Sequence, residues 1–280
     1  MTNSRNISFV KLLNFLLIFA CSSSFSFNVY ADINSSKKLV AKKAAIIKTL
    51  HKKATKALVN AAQDKNYVNY LEAQSPKNKN TLRKKVDQIS LKVQQRFHVE
   101  EMCLIHKDGP KLARIVRNKV AYDLSPDESS AVFFAPGFSL KPKSSYISPI
   151  YMSPDADKLV LAYVTPIKAL DNNEAILHYE HGLSVFQKAL SKGLSDDERV
   201  IAVNQAGLVV SDSNNVIVNN KKGDSETVSD YLRPFSFAGN SLEAIKSKAE
   251  SQTAIMDTEG STYHAAYQQV KTWTIIALSK

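Results

Sequence analysis

Apolar and polar positions change period along this chain, and the changes mark its elements. Between Ser35 and Ala73 the residues Val40, Ile47, Leu50, Ala54, Leu58, Ala61 and Ala62 recur at helical spacing, with lysines such as Lys42, Lys43, Lys52 and Lys53 between them. The pattern predicts one long basic helix. Pro76 and the run Lys77-Asn78-Lys79-Asn80 are expected to break it, and a second helix is predicted over 81–95. A basic amphipathic helix can lie on a membrane surface. It can also press its stripe onto a sheet with its lysines in water, and the narrowness of this stripe favours the sheet.

From His98 the period falls to two, that of a strand. Segments 98–105 and 111–117 read as a hairpin around Lys107-Asp108-Gly109, where Asp-Gly permits the positive φ of a tight turn. Ser125-Pro126-Asp127-Glu128 has the order of a helix start (cap, proline, then Glu three residues after the cap), which predicts a helix over 126–135 ended by Pro136-Gly137. Strands are predicted at 146–152, 159–165 and 175–180. Pro166, lacking the N–H that a central ladder needs, is expected to stop the second of them. A helix over 182–191 carries Leu183, Phe186 and Leu190 on one face. A weak repeat follows: residues 102–109 line up with 200–207, an apolar strand and a turn ending in Gly, and 162–168 echo 266–271. Such a unit, duplicated after about 100 residues, implies two modules of one kind. The second is predicted as a hairpin over 199–212, a loop over 213–226, a helix over 241–251 capped by Asn240, and strands at 253–256, 261–269 and 272–278.

The balance of 44% hydrophobic and 22% charged residues over 280 positions suits a folded chain of two small domains. Arg5 and Lys11 precede an apolar run over 12–20, and Val29-Tyr30-Ala31 supplies a cleavage site, so residues 1–31 read as an export signal. The run is far short of the roughly 20 residues of a membrane span. A periplasmic protein starting at Asp32 is expected; the rival reading lipidates Cys21 as a tether. Domain limits are expected at 32–97 (helical), 98–192 and 193–280. The net charge of +11 would suit an anionic partner. Export argues against nucleic acid, so the charge reads as solvated surface. Once the signal is removed only Cys103 remains, and in the apolar run Met102-Cys103-Leu104-Ile105 it reads as a small hydrophobe.

No G-x-S-x-G, Walker loop, G-x-G-x-x-G or H-E-x-x-H occurs, so neither an enzyme nor a cofactor is expected. His178 and Glu180 share a strand face but His181 turns away, which makes an incomplete zinc site; a structural role for the histidines is preferred, and a metal enzyme is the outside alternative. Glu180 ends an apolar strand, where a carboxylate is costly to bury unless paired. It either forms a rim salt bridge or lines a pocket. Phe134, Tyr146, Tyr151, Tyr163 and Thr165 lie in the same module, and apolar walls with a few polar groups are what a small-ligand pocket needs. The same aromatics can equally rim the sheet. Arg114 or Arg117 can supply a cation, and Arg117 completes the candidate set.

The strand 146–151, the turn "SPDADK", the strand "AYVTPI" and the segment "AILHYEHGLSVFQ" stand in an order that resembles the distal module of the double Cache (PAS-like, PDC) sensor domains of bacterial receptors. "STYHAAYQQVKTWTIIALSK" is similar to the closing strands of their membrane-proximal module. The resemblance implies an α+β fold: a long N-terminal helix packed on two PAS-like modules, each with a mainly antiparallel sheet. It implies a small organic ligand, amine or amino-acid-like, held in the distal module. In amino-acid-binding members an acid at the end of the strand equivalent to 175–180 holds the ligand ammonium; Glu180 stands there in place of their Asp. Their Arg-x-Trp-Tyr element is replaced by Val132-Phe133-Phe134-Ala135, which puts a carboxylate-bearing ligand in doubt. The receptors continue into a membrane helix and a signalling domain, and neither is expected here. The expectation is a periplasmic sensor without its own signalling domain, partnering a membrane receptor or kinase. The alternative is a structural or interaction protein with a vestigial pocket.

Overall fold

The structure, a computed structural model, describes residues 7–97, 99–124, 127–215 and 228–280, with only the backbone of residues 7–32 and of Asp230. The side chains on which an export signal or lipidation at Cys21 depends lie outside this description. The chain divides into two compact units. One gathers the chain up to Ala44 with residues 191–209 and 234–280; the other holds residues 45–190 and the described parts of 210–233.

Helix α1 (Ile7–Ala61) ends earlier than its stripe suggests, because the Asp64 carboxylate accepts the Asn66 N–H and caps a separate helix, α2 (Lys65–Glu72). The expected break falls at residues 73–75, and α3 (Pro76–Phe97) starts earlier than residue 81 because Pro76 takes its first position, where its missing N–H costs nothing. These helices accompany a six-stranded antiparallel sheet of β1 (Glu101–His106), β2 (Lys111–Val116), β3 (Lys119–Val120), β4 (Tyr146–Ser153), β5 (Lys158–Ala169) and β6 (Asn172–Gly182). The strand order is β3-β2-β1-β6-β5-β4. β5 runs through Pro166, contrary to the sequence expectation. Its pairing with β4 stops at Val164, so the proline sits where that side of the strand is an edge.

The helix expected over 126–135 is replaced. Ser125 and Pro126 lie outside the described residues, residues 127–133 form turns, and the helix here is the short α4 (Phe134–Phe138). A local turn bond, the Asp127 carboxylate accepting the Ser129 N–H, and two tertiary contacts override the signal: Glu128 reaches the Lys111 ammonium at 2.7 Å, and Phe133 is drawn into the core. Helix α5 (Leu183–Ser191) follows β6 directly, as its apolar spacing predicts.

The C-terminal half of α1 covers one face of the sheet. Ile47, His51, Ala54 and Leu58 are its buried stripe. His51 Nδ1 lies 2.7 Å from the Tyr163 hydroxyl, and the Tyr179 hydroxyl donates to the Ala54 carbonyl. Each buried tyrosine thus keeps a polar partner while its ring fills the space under the helix.

The second sheet is built from β7 (Glu198–Asn204), β8 (Val209–Asp212), β9 (Ile255–Met256), β10 (Thr262–Val270) and β11 (Trp273–Ser279), in the order β8-β7-β11-β10-β9. With β3 set aside, the first sheet has the same sequence of connections. The repeat seen in the primary structure falls on equivalent strands, β1 with β7 and β5 with β10. α6 (Val228–Tyr231) and α7 (Leu242–Glu250) complete the chain, and α7 is capped by Ser241, not Asn240, through the Ala244 N–H. The fold is α+β, two antiparallel sheets with a long N-terminal helix, as the sequence implied.

Candidate ligand-binding site

Two β-bulges decide which side chains meet on the face of the first sheet away from α1. In β1–β2 the partners run Leu104 with Ala113, then Ile105 with Lys111, so Leu112 is the extra residue. Lys111 and Arg114 are three apart and would point to opposite faces of a regular strand. The bulge brings them to one face. In β4–β5 the register shifts between Ile147 and Ile150, and the Ser148 hydroxyl accepts the Ala162 N–H at 2.8 Å inside the irregularity. Tyr146 and Tyr151, five apart, thereby share a face as well.

The result is a buried polar cluster. Lys111 Nζ binds Asp155 Oδ2 and Glu128 Oε1, each at 2.7 Å. Arg114 Nε donates to Glu101 Oε1 at 2.9 Å, and its Nη2 lies 2.6 Å from Asp155 Oδ1. The Cys103 thiol donates to Glu101 at 3.1 Å. Next to them on β6, Glu180 Oε1 accepts from the Tyr151 hydroxyl at 2.5 Å, and that hydroxyl lies 3.2 Å from His178 Nε2. Phe133 stacks on the His178 ring with centroids 4.2 Å apart. Glu180 and His178 are each 2% exposed. Glu180 Oε2 and His178 Nδ1 are both buried without a hydrogen-bond partner.

Four carboxyl groups therefore face two cations, and ionisation shifts accordingly. Burial, then repulsion from Glu101, pushes the Glu180 carboxyl up to about 8. Burial and the neighbouring Asp155 raise Glu101 to about 7. Burial opposes the charged form of Lys111 too, but its bonds to Asp155 and Glu128 outweigh it and raise the ammonium. His178 is held neutral, down to about 3, by burial and then by Lys111.

The sequence-derived candidates divide. Glu180, Tyr151 and Tyr146 lie on this face, and Phe134 packs at its margin beside Phe138. Tyr163 does not join them: Glu180 pairs with Ala162, so Tyr163 points to the helix side with Tyr179. Thr165, two residues further, follows Tyr163 and donates its hydroxyl to the Ser144 carbonyl. Arg117 is exposed, at φ 49° in the tight Arg117-Asn118 turn between β2 and β3, and Arg114 supplies the buried guanidinium. His181 also faces the helix side, away from His178 and Glu180. Sequence reasoning missed Lys111, Glu101, Asp155 and Phe133. A lysine and an arginine on an apolar strand were a signal, but the bulge that aims them had none.

No protein-family model and no curated protein matches the chain. Solved structures do. The ligand-binding domain of the Campylobacter jejuni chemoreceptor Tlp3, in complex with L-norvaline, superposes with a TM-score of 0.69 at 11% identity, covering 90% of this chain and 91% of that one. The sensor domain of the V. cholerae histidine kinase DctB gives 0.64 at 11% identity, over 90% and 98%. The ligand-binding domain of the Pseudomonas fluorescens chemoreceptor CtaA, in complex with L-serine, gives 0.57 at 14% identity, over 89% and 96%. The chain has the fold of a double Cache sensory domain. At these identities the similarity concerns the fold, and the buried cluster has to be read on its own chemistry.

Proposed function

We propose that the chain is an exported, non-catalytic sensor protein that binds a small organic cation, an amine or amino acid, on the Glu180 face of the six-stranded sheet. One observation carries this reading: Glu180 Oε2 and His178 Nδ1 are buried without a partner at hydrogen-bond geometry, in a cluster where carboxyl groups outnumber cations. An ammonium group supplies what is missing, a positive charge and up to three N–H donors. Tlp3 with L-norvaline and CtaA with L-serine are domains of this fold holding α-amino acids, which supports an ammonium-bearing ligand here. The basic start and apolar run of residues 1–31 support export, and no helix among the described residues is long and apolar enough to cross a membrane. A membrane receptor or kinase is the proposed recipient of the signal.

Entry requires Phe133 to leave its stack on His178. That contact also favours a second reading, in which the chain's own side chains fill a vestigial pocket and the protein acts through its partner alone. Calorimetric titration of the full chain with a panel of amines and amino acids separates the two. Saturable one-to-one binding is expected. A panel without a binder, together with co-purification of a membrane kinase free of small ligand, would decide for the second reading.

A further inference from the structure

A cavity of about 830 Å³ lies within the larger unit on the opposite side of the six-stranded sheet from Glu180. Its walls are apolar: Leu50 and Ala57 from α1, Val93 and Phe97 from α3, and Val185 and Phe186 from α5. All but Phe186 are only half-buried, so they form an apolar surface that the folded chain leaves partly uncovered. The sheet contributes Tyr163 and His181. Both ring nitrogens of His181 are buried without a hydrogen-bond partner. The exposed side chains of Lys53, Lys56, Lys92, Arg96 and Lys188 stand around this lining, which includes no Asp or Glu.

We infer that this cavity is a second binding site, for a small anionic amphiphile: an apolar chain bearing one carboxylate or comparable oxyanion. Its volume is in the range of about 300–1,000 Å³ that small-molecule sites occupy. The apolar walls suit the chain. The one-signed rim suits an anion and disfavours a cation, because opposite charges attract most where low-dielectric walls focus the field. His181 offers a ring N–H to an oxygen that reaches the floor. The site is separate from the Glu180 cluster, which selects the opposite charge on the opposite face of the sheet, so the two readings stand or fall independently.

Calorimetric titration of the full chain with dodecanoate tests the inference, with dodecyltrimethylammonium as the probe of equal chain length and opposite charge. One saturable site for dodecanoate is expected, with the cation roughly tenfold weaker or worse. Val93→Trp, which obstructs part of the cavity, and the double change Lys92→Glu with Arg96→Glu, which reverses part of the rim, should each weaken dodecanoate by about tenfold or more. The second variant alters only exposed side chains and keeps the test valid if the tryptophan prevents folding; circular dichroism checks both. Equal affinity for the two amphiphiles, or unchanged dodecanoate binding in a folded variant, would overturn the inference. So would co-sedimentation with phosphatidylglycerol vesicles without dodecanoate uptake, or a dimer abolished by Val93→Trp in a chain that takes up no dodecanoate. Those last two outcomes would assign the groove to a membrane or to a second copy.

Discussion

Glu180 Oε1 accepts from the Tyr151 hydroxyl while Oε2 has no partner at hydrogen-bond geometry, and that asymmetry defines the proposed role. Glutamine keeps the shape and removes the charge. Glu180→Gln should weaken an ammonium ligand by more than about tenfold, the discrimination expected when a charge-assisted bond is lost; unchanged affinity would remove Glu180 from the site. The carboxyl, raised to about 8, is mostly protonated at pH 7. A bound ammonium favours the ionised form and lowers that value, so binding at pH 7 should release a proton. Affinity should rise between pH 6.5 and 8.5, and the binding enthalpy should vary with the ionisation enthalpy of the buffer. Both effects should vanish in the glutamine variant. The position of Glu180 was legible because an acid on an otherwise apolar strand is conspicuous. The roles of Lys111 and Arg114 were not, because strand alternation alone assigns them to different faces.

At the scale of elements, short irregular segments do more for the site than the regular ones. The turn residues 127–133 carry Glu128 to Lys111 and Phe133 to His178, where local capping signals had pointed to a helix. Phe133→Ala should cost about 3–5 kcal/mol in urea unfolding, the usual range for emptying a buried aromatic site, and should speed ligand entry by uncovering His178 and Glu180. Slower association would contradict the role of Phe133 as a cover. Gly109 fixes the other end of this segment. Its φ is +105°, and a Cβ there would meet the Asp127 carboxylate at 2.4 Å. Gly109→Ala should lower stability by roughly 1–3 kcal/mol, since even if Asp127 swings aside the backbone strain remains. An unchanged unfolding midpoint would show that the turn relaxes freely. The Asp-Gly hairpin was visible in the sequence; the contact that makes its glycine hard to replace comes from residues far along the chain.

Across the whole molecule, buried titratable groups pull stability in two directions. His178 and His181 are held neutral down to about 3 and about 4, mainly by burial, whereas the unfolded chain protonates them below the ordinary 6.5. Acid therefore favours the unfolded state from pH 6.5 downward. Glu101 and Glu180 keep their protons in the folded state up to about 7 and about 8, whereas the unfolded chain loses them above the ordinary 4.5. Rising pH therefore favours the unfolded state through pH 8. Calorimetric melting from pH 4 to 9 should give the highest Tm between about pH 4.5 and 6.5, where the two effects oppose each other. Glu180→Gln should flatten the alkaline limb. A Tm that climbs steadily to pH 8 would refute this balance.

Hydrophobic periodicity by itself determined the two modules, their strands and most of their helices, because burying apolar surface depends on spacing that neighbouring residues already specify. It did not separate Glu180 from Tyr163: alternation gives the faces within each strand, but the register that pairs Glu180 with Ala162 and turns Tyr163 to the helix side is set between strands. Only tertiary structure decided the two bulges, the loss of the helix at 126–135 and the capture of Lys111 and Arg114 by carboxylates. In each case the deciding partner is distant in sequence: Ala162 for the Ser148 bulge, Lys111 for Glu128, Asp155 for Arg114. A local pattern carries no record of such partners, and they set the charge and the closure of the proposed site.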